Sequence, residues 1–260
     1  MLPWLCCLSQ LSVSIGSYSM KRKFLFALYQ TPRGKLLQTM EAKYLKRCIT
    51  VSCKQNQLQI GGLDWEQDYV DCQLYRNYLI LDDKIKGCAD AMKVSAKAYS
   101  LPIQTESMDL VIIPHLLEFD AQRFRTMREV HRVLKPGGEL VILSFNPLSP
   151  YVRFQFLWDK KIGESWRAHF VSRARVFDWL KLLNFELINT AEFGLDTFTI
   201  CHGQFAPFAK TWFSISYGLK AVKRQYSLIP LTPVTQTKPG LVVANMGLES
   251  KSYEMKLTNE

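Results

Sequence analysis

The sequence predicts an α/β fold, a mostly parallel sheet with helices on both faces. Two apolar runs of strand length carry this reading, Met108–Pro114 (MDLVIIP) and Glu139–Phe145 (ELVILSF). Runs of that kind suit strands buried on both sides. Between them lies a segment of helical periodicity, and Lys135-Pro136-Gly137-Gly138 breaks it just before the second run. Strand and helix patterns also alternate along most of the chain, as successive crossover units would.

The elements follow in order. Thr31-Pro32-Arg33-Gly34 opens a helix, because Thr31 can cap it and Pro32 suits its first position. Leu36, Leu37, Met40, Tyr44, Leu45 and Cys48 then recur at helical spacing. Lys35, Lys43, Lys46 and Arg47, with Gln38, Thr39 and Glu41, are assigned to the other face. Such a helix packs one face on the domain, or lies on a membrane surface or a nucleic acid. Gln57–Leu63 reads as a strand ending in glycines, Asp64–Tyr75 as a short helix or loop, and Asn77–Leu81 as a second strand ending at Asp82-Asp83. Ala91–Ala96 is a weak third strand. Asp120 can cap the helix that bears Phe124, Met127, Val130, Val133 and Leu134. Tyr151–Lys161 and Arg173–Leu183 are further helices, and Asn184 can end the latter in left-handed conformation. Phe185–Glu192 and Trp212–Arg224 read as strands, the latter closing the sheet. Beyond Ser227, Pro230, Pro233 and Pro239 stand among Thr and Lys residues, as in a flexible tail.

Composition bounds the function. With 260 residues, 48% apolar and 22% charged, the chain is one large domain or one domain with extensions, which excludes wholesale disorder. No uncharged apolar run reaches ~18 residues, so no membrane-spanning helix is expected. The net charge of +10 invites a nucleic-acid reading. However, residues 21–54 carry nine bases and one acid, whereas residues 55–150 carry ten bases and thirteen acids. The basic character therefore sits on the flanks, which argues against a nucleic-acid groove reader. The seven cysteines, Cys6, Cys7, Cys48, Cys53, Cys72, Cys88 and Cys201, include no CxxC pair, and the four histidines are scattered. This signals no zinc site and no disulfide framework, and suits reduced cysteines in a cytoplasmic protein. Met1–Ser19 is apolar, but its bases follow rather than precede it and Pro3 interrupts it. It reads as a poorly ordered extension, with Met20 as an alternative start, rather than as a secretory signal.

In an open α/β sheet, ligands bind beyond the carboxyl ends of the strands. The informative residues are therefore Gly61-Gly62, Asp82-Asp83, Leu101-Pro102, His115 with Glu118, and Asn146-Pro147. Glycine lets a ligand approach the backbone, a carboxylate can accept two ribose hydroxyls, and Leu101-Pro102 can wall an adenine ring.

The order of these pieces resembles the class I S-adenosylmethionine-dependent methyltransferases, nearest the small-molecule subgroup that includes the quinone-biosynthesis C-methylases. Leu101-Pro102, Ser107 through Val111, His115-Leu116-Leu117-Glu118 and Glu129 through Gly138 match its motifs, and Asp178–Ile188 resembles its late helix-to-strand join. The resemblance covers roughly residues 57–224. It implies a Rossmann-like sheet with an antiparallel closing strand, S-adenosylmethionine as cofactor and methyl transfer to a small molecule. It makes Gly61, Gly62, Asp82, Asp83, Leu101 and Pro102 the cofactor residues, with His115 near the transferred methyl as a candidate general base.

The chain departs from the family's D-x-G-x-G-x-G loop. Aligned on the first glycine it reads Gln59-Ile60-Gly61-Gly62-Leu63-Asp64-Trp65, so the strand-end acid is Gln59 and the later glycines are Leu63 and Trp65. The acid that would contact the adenine amino group falls near Lys97, which only donates. These departures motivate an alternative, a binding module of the same fold without catalysis. A nucleic-acid methylase is a further alternative, but Asn146-Pro147-Leu148-Ser149 only begins like that class's NPPY motif.

The expected organisation is an extension (1–20), a basic helical segment (21–54), the methyltransferase-like domain (55–225) and a tail (226–260). Within the domain, residues 151–175 mix Tyr151, Phe154, Phe156, Trp158 and Trp166 with Arg153, Lys160, Lys161 and Arg167. They read as a lid over an apolar or anionic acceptor, or as a basic surface near a membrane, with an aromatic stripe packed on the sheet as the plainer alternative.

Overall fold

The structure, a computed structural model, describes residues 25–49, 56–70, 77–82, 91–153, 170–194, 198–202 and 214–224. The extension, the tail, most of the lid, Asp83, and Cys6, Cys7, Cys53, Cys72 and Cys88 lie outside the described residues.

Helix α1 spans Pro32–Cys48. The Thr31 hydroxyl caps it by accepting from the Gly34 N–H at 3.0 Å. Gly34 is required for close approach, because a Cβ there would stand 1.9 Å from the Leu28 carbonyl oxygen of the helical turn at residues 25–30. The strands are β1 Asn56–Ile60, β2 Asn77–Leu81, β3 Met92–Val94, β4 Met108–Pro114, β5 Leu134–Phe145, β6 Phe185–Phe193, β7 Phe198–His202 and β8 Ser216–Lys223. Helices α2 (Arg123–Val133) and α3 (Arg173–Leu182) complete the regular elements used here.

All eight strands form one sheet in the order β3-β2-β1-β4-β5-β8-β6-β7. The first five pair in parallel, and β8, β6 and β7 join antiparallel. This is the expected mostly parallel sheet with an antiparallel closing strand. Strand order reverses between β1 and β4, so their carboxyl ends lie side by side.

Strand residues alternate between two cores. On one face Ile80, Leu110, Ile112, Val141, Leu143, Phe145 and Phe193 pack with Leu37, Tyr44 and Leu45 of α1. On the other, Leu58, Ile60, Val111, Ile113, Leu140 and Ile142 pack with Met127, Val130 and Val133 of α2 and with Val176 and Leu180 of α3. Gly218 in β8 serves the first core, since a Cβ there would meet the Tyr44 ring at 2.5 Å. Two buried lysines of β8 anchor helix ends on opposite faces. Lys220 Nζ donates to the Cys48 carbonyl at the end of α1 (2.8 Å), and Lys223 Nζ to the His131 and Leu134 carbonyls at the end of α2 (2.9 and 2.7 Å).

Three sequence expectations change. Strand β5 begins at Leu134 rather than Glu139. Leu134 pairs with Met108, the register then shifts, and Gly137 takes φ +78°, so the breaker is absorbed at the start of the strand. Strand β7 was not expected; its short FTICH run pairs only with β6. Glu41, assigned to the polar face of α1, is fully buried beneath it. The basic helix itself is seated on the sheet through Leu37, Met40, Tyr44 and Leu45, as the domain-packing alternative required.

Candidate active site

At the β1–β4 switch point the described residues of the sheet bury a cluster of polar side chains on the α1 face. Gly61 leaves β1 with φ +99°, a conformation that favours glycine. The next two N–H groups are each held by a carboxylate. Gly62 N–H donates to Asp82 at the end of β2 (2.9 Å), and Leu63 N–H donates to Glu66. The structure thus brings together three predicted residues, Gly61, Gly62 and Asp82.

Gln59 points into this face and uses its whole amide internally. Its Nε2 donates to the Gly61 carbonyl and to Glu66 Oε1 (3.0 and 3.1 Å), and its Oε1 accepts from the Tyr69 and Tyr78 hydroxyls (both 2.7 Å). Burial, ahead of the nearby Glu66 charge, pushes the Tyr69 hydroxyl well above its ordinary pKa, so it stays a donor. Trp65 packs edge-on against both Tyr29 and Tyr69, and Leu63 is buried, so this loop is filled by side chains where the family pattern has glycine.

His115 follows β4 in left-handed conformation (φ +44°), with its N–H on the Leu143 carbonyl and its ring tilted over Phe145 at 4.2 Å. Its Nε2 lies 3.1 Å from Glu41 Oε1 and its Nδ1 3.5 Å from Glu118 Oε1. Burial alone would lower the imidazole pKa, but the two carboxylates outweigh it and push it up to about 9. The two carboxylates therefore favour the protonated imidazolium, which Glu41 holds at Nε2, while Glu118 stands 3.5 Å from Nδ1 without a hydrogen bond. Tyr29 and Ser216 each donate to Glu41 at 2.7 Å. In that protonated form the ring has no lone pair to act as a base.

Leu101 and Pro102 are placed differently from one another. The Leu101 side chain is in the α2 core, while Pro102 is exposed. Glu129 and Arg132 hold this loop. Glu129 accepts from Leu101 N–H (3.1 Å), and Arg132 donates to the Leu101 and Ile103 carbonyls (3.0 and 2.9 Å). Asn146 is structural as well, donating to the Ser214 carbonyl and hydroxyl at 3.1 and 2.9 Å to tie β5 to the start of β8.

Sequence reasoning missed Glu41, Glu66 and Tyr29. The signal for Glu41 was available, because it sits four residues after Leu37 and four before Leu45, inside the apolar stripe of α1. Nothing in the local pattern marks Glu66, whose partners are brought in by the turn after β1.

The comparisons agree with this architecture. A family model described as a methyltransferase domain matches residues 34–142. The Escherichia coli (strain K12) protein YafS is 28% identical over 164 residues, which cover 62% of this chain and 65% of YafS. The ubiquinone/menaquinone biosynthesis C-methyltransferase UbiE of Pasteurella multocida is 39% identical over 77 residues, 27% of this chain and 29% of that protein. The chain therefore spans just under two thirds of YafS and less than a third of UbiE. A SAM-dependent methyltransferase structure from Thermotoga maritima superposes with a TM-score of 0.59 at 15% identity, covering 80% of this chain and all of that one. By fold the chain is of the class I methyltransferase type, and S-adenosylmethionine is the cofactor this type implies. Among the described residues, no helix is long and apolar enough to cross a membrane, and no cluster of His, Cys, Asp and Glu is suited to hold a metal ion.

The residues at the switch point fit that cofactor. Gly61 offers bare backbone, Asp82 a half-buried carboxylate, and Glu66 a buried Oε2 without a hydrogen-bond partner among the described residues. A cationic sulfonium and ammonium suit a turn flanked by two carboxylates, Glu66 and Asp82.

Proposed function

We propose that the protein transfers the methyl group of S-adenosylmethionine to a small-molecule acceptor. The observation that carries this reading is the junction of Gly61, Gly62 and Asp82 beside His115, at the point where strand order reverses. When bound, the cofactor supplies a methyl group already activated on a sulfonium. Asp82 would accept from its ribose hydroxyls, with Asp83, next in the sequence and outside the described residues, as a second carboxylate, and Gly61-Gly62 would let it approach the backbone. Pro102 and the backbone of Leu101 border the adenine. His115, with its ring nitrogens turned to Glu41 and Glu118, positions the end of β4 beside the acceptor rather than serving as the base read from the sequence. Transfer from a sulfonium requires chiefly that donor and acceptor be aligned and water excluded.

The acceptor is apolar or carries an anionic group. The quinone-directed names of the UbiE relatives and the aromatic, basic residues 151–175 support this. Tyr151, at the start of that stretch, packs on the α1-face core under Arg33, 5.5 Å from its ring.

Calorimetry of the full chain with S-adenosylhomocysteine tests the reading. The wild type binds it and Asp82→Ala weakens binding at least tenfold; no heat at millimolar ligand refutes the reading. The filled loop at Leu63 and Trp65 favours a second reading, cofactor binding without transfer. That reading predicts the same heat but no methylated product when radiolabelled S-adenosylmethionine is supplied with quinone-like acceptors.

A further inference from the structure

The family pattern puts an acid at the end of the first strand, and this chain has Gln59 there. We infer that Glu66 supplies the displaced carboxylate and receives the ammonium group of the cofactor's amino-acid end, an inference that rests on the cofactor reading above. Gln59 cannot take that part. Both of its amide hydrogens and both lone pairs of its oxygen are already bonded within the protein. Glu66 is 1% exposed, and only one of its oxygens is occupied. Oε1 accepts from Gln59 and from Leu63 N–H, while Oε2 is buried without a hydrogen-bond partner among the described residues. A buried carboxylate oxygen left without a donor is costly, and a cationic ligand group removes that cost.

Position supports the assignment. Glu66 and Asp82 hold the successive N–H groups of Leu63 and Gly62, so the two carboxylates flank one turn at the carboxyl end of β1. Asp82 lies on the side of β2, where the ribose belongs. Gln59 is a positioning residue, whose Nε2 fixes Oε1 of Glu66 and so aims Oε2.

The test is calorimetry of the full chain with three ligands. These are S-adenosylhomocysteine, its decarboxylated analogue, which keeps the ammonium, and its deaminated analogue, which lacks it. In the wild type the first two bind and the deaminated analogue binds roughly ten- to a hundredfold more weakly, as loss of a charged hydrogen bond requires. Glu66→Gln weakens S-adenosylhomocysteine by a similar factor and leaves the deaminated analogue unchanged. Equal wild-type affinity for the amino and deaminated ligands overturns the inference, and so does unchanged S-adenosylhomocysteine binding by Glu66→Gln. Equal weakening of both ligands by that variant, with an unchanged melting temperature, overturns it too. If Glu66→Gln does not fold, the wild-type ligand series decides alone. A wild type that binds none of the three refutes the cofactor reading itself, and the inference with it.

Discussion

The two faces of the sheet are built from the same strands, yet they bury different chemistry. Against α2 and α3 the interior is mainly apolar; its buried polar groups, such as Thr126, the Tyr217 hydroxyl and Lys223, bond separately to nearby groups, and Glu129 and Arg132 work at the rim. Against α1 the same strands bury Gln59, Glu66, His115 and Glu118 around Glu41, with the hydroxyls of Tyr29, Tyr69, Tyr78 and Ser216 pointing among them. Burying such groups is costly unless they are paired, so an apolar core on both faces would be the simpler way to stabilise the fold. On the function proposed above, the asymmetry makes the α1 face the functional one. On that proposal the N-terminal helix belongs to the candidate site, because α1 contributes the carboxylate that bonds His115.

The comparison can be broken most strongly at Glu41. Glu41→Ala strands His115, Tyr29 and Ser216 in the interior, with an expected loss of about 3–5 kcal/mol in urea unfolding. On the opposite face Met127→Ala leaves only a cavity, at about 2–5 kcal/mol. The two differ most sharply in coupling. A double-mutant cycle pairing Glu41→Ala with His115→Asn gives a large interaction energy, whereas Glu41→Ala with Met127→Ala is additive to within about 0.5 kcal/mol. Asparagine is chosen because it tolerates the left-handed backbone at position 115.

Acidity sharpens the same contrast. The folded-state pKa of His115, about 9, lies above the unfolded value of about 6.5. Its contribution to stability is therefore full below about pH 6.5 and is lost as pH rises through about 9. The urea midpoint of the wild type should fall across that window, and the fall should be absent in His115→Asn. A smaller effect is expected where α1 meets the sheet. Gly218→Ala pushes a methyl into the Tyr44 ring, and should cost about 1–3 kcal/mol in thermal unfolding. The smallest is Thr31→Ala, which removes the α1 cap at about 1 kcal/mol by the same measurement.

The sequence carried the fold well because its signals are periodic. The apolar runs at Met108–Pro114 and Glu139–Phe145, the glycines after β1 and the breaker before the fifth strand all report local geometry. The turn after β1 was legible in part, since Gly61, Gly62 and Asp82, each read as following a strand, do come together there. It was not legible where distant elements meet. Glu41 joins His115 across 74 positions, and Ser216 joins Glu41 across 175. The role of His115 also turned on those partners. A histidine after a strand suggests a base, but the two carboxylates beside it favour its protonated form. Leu101 shows a further limit, since a Leu-Pro pair does not reveal which of the two side chains the core takes.

Hydrogen exchange of the full chain, with and without saturating S-adenosylhomocysteine, tests most directly whether the α1 face is the functional face. Ligand should slow exchange at residues 61–70, at Asp82 and at His115, and leave the amides of α2 and α3 unchanged. Protection confined to α2 and α3, or none anywhere under saturation, would contradict that assignment.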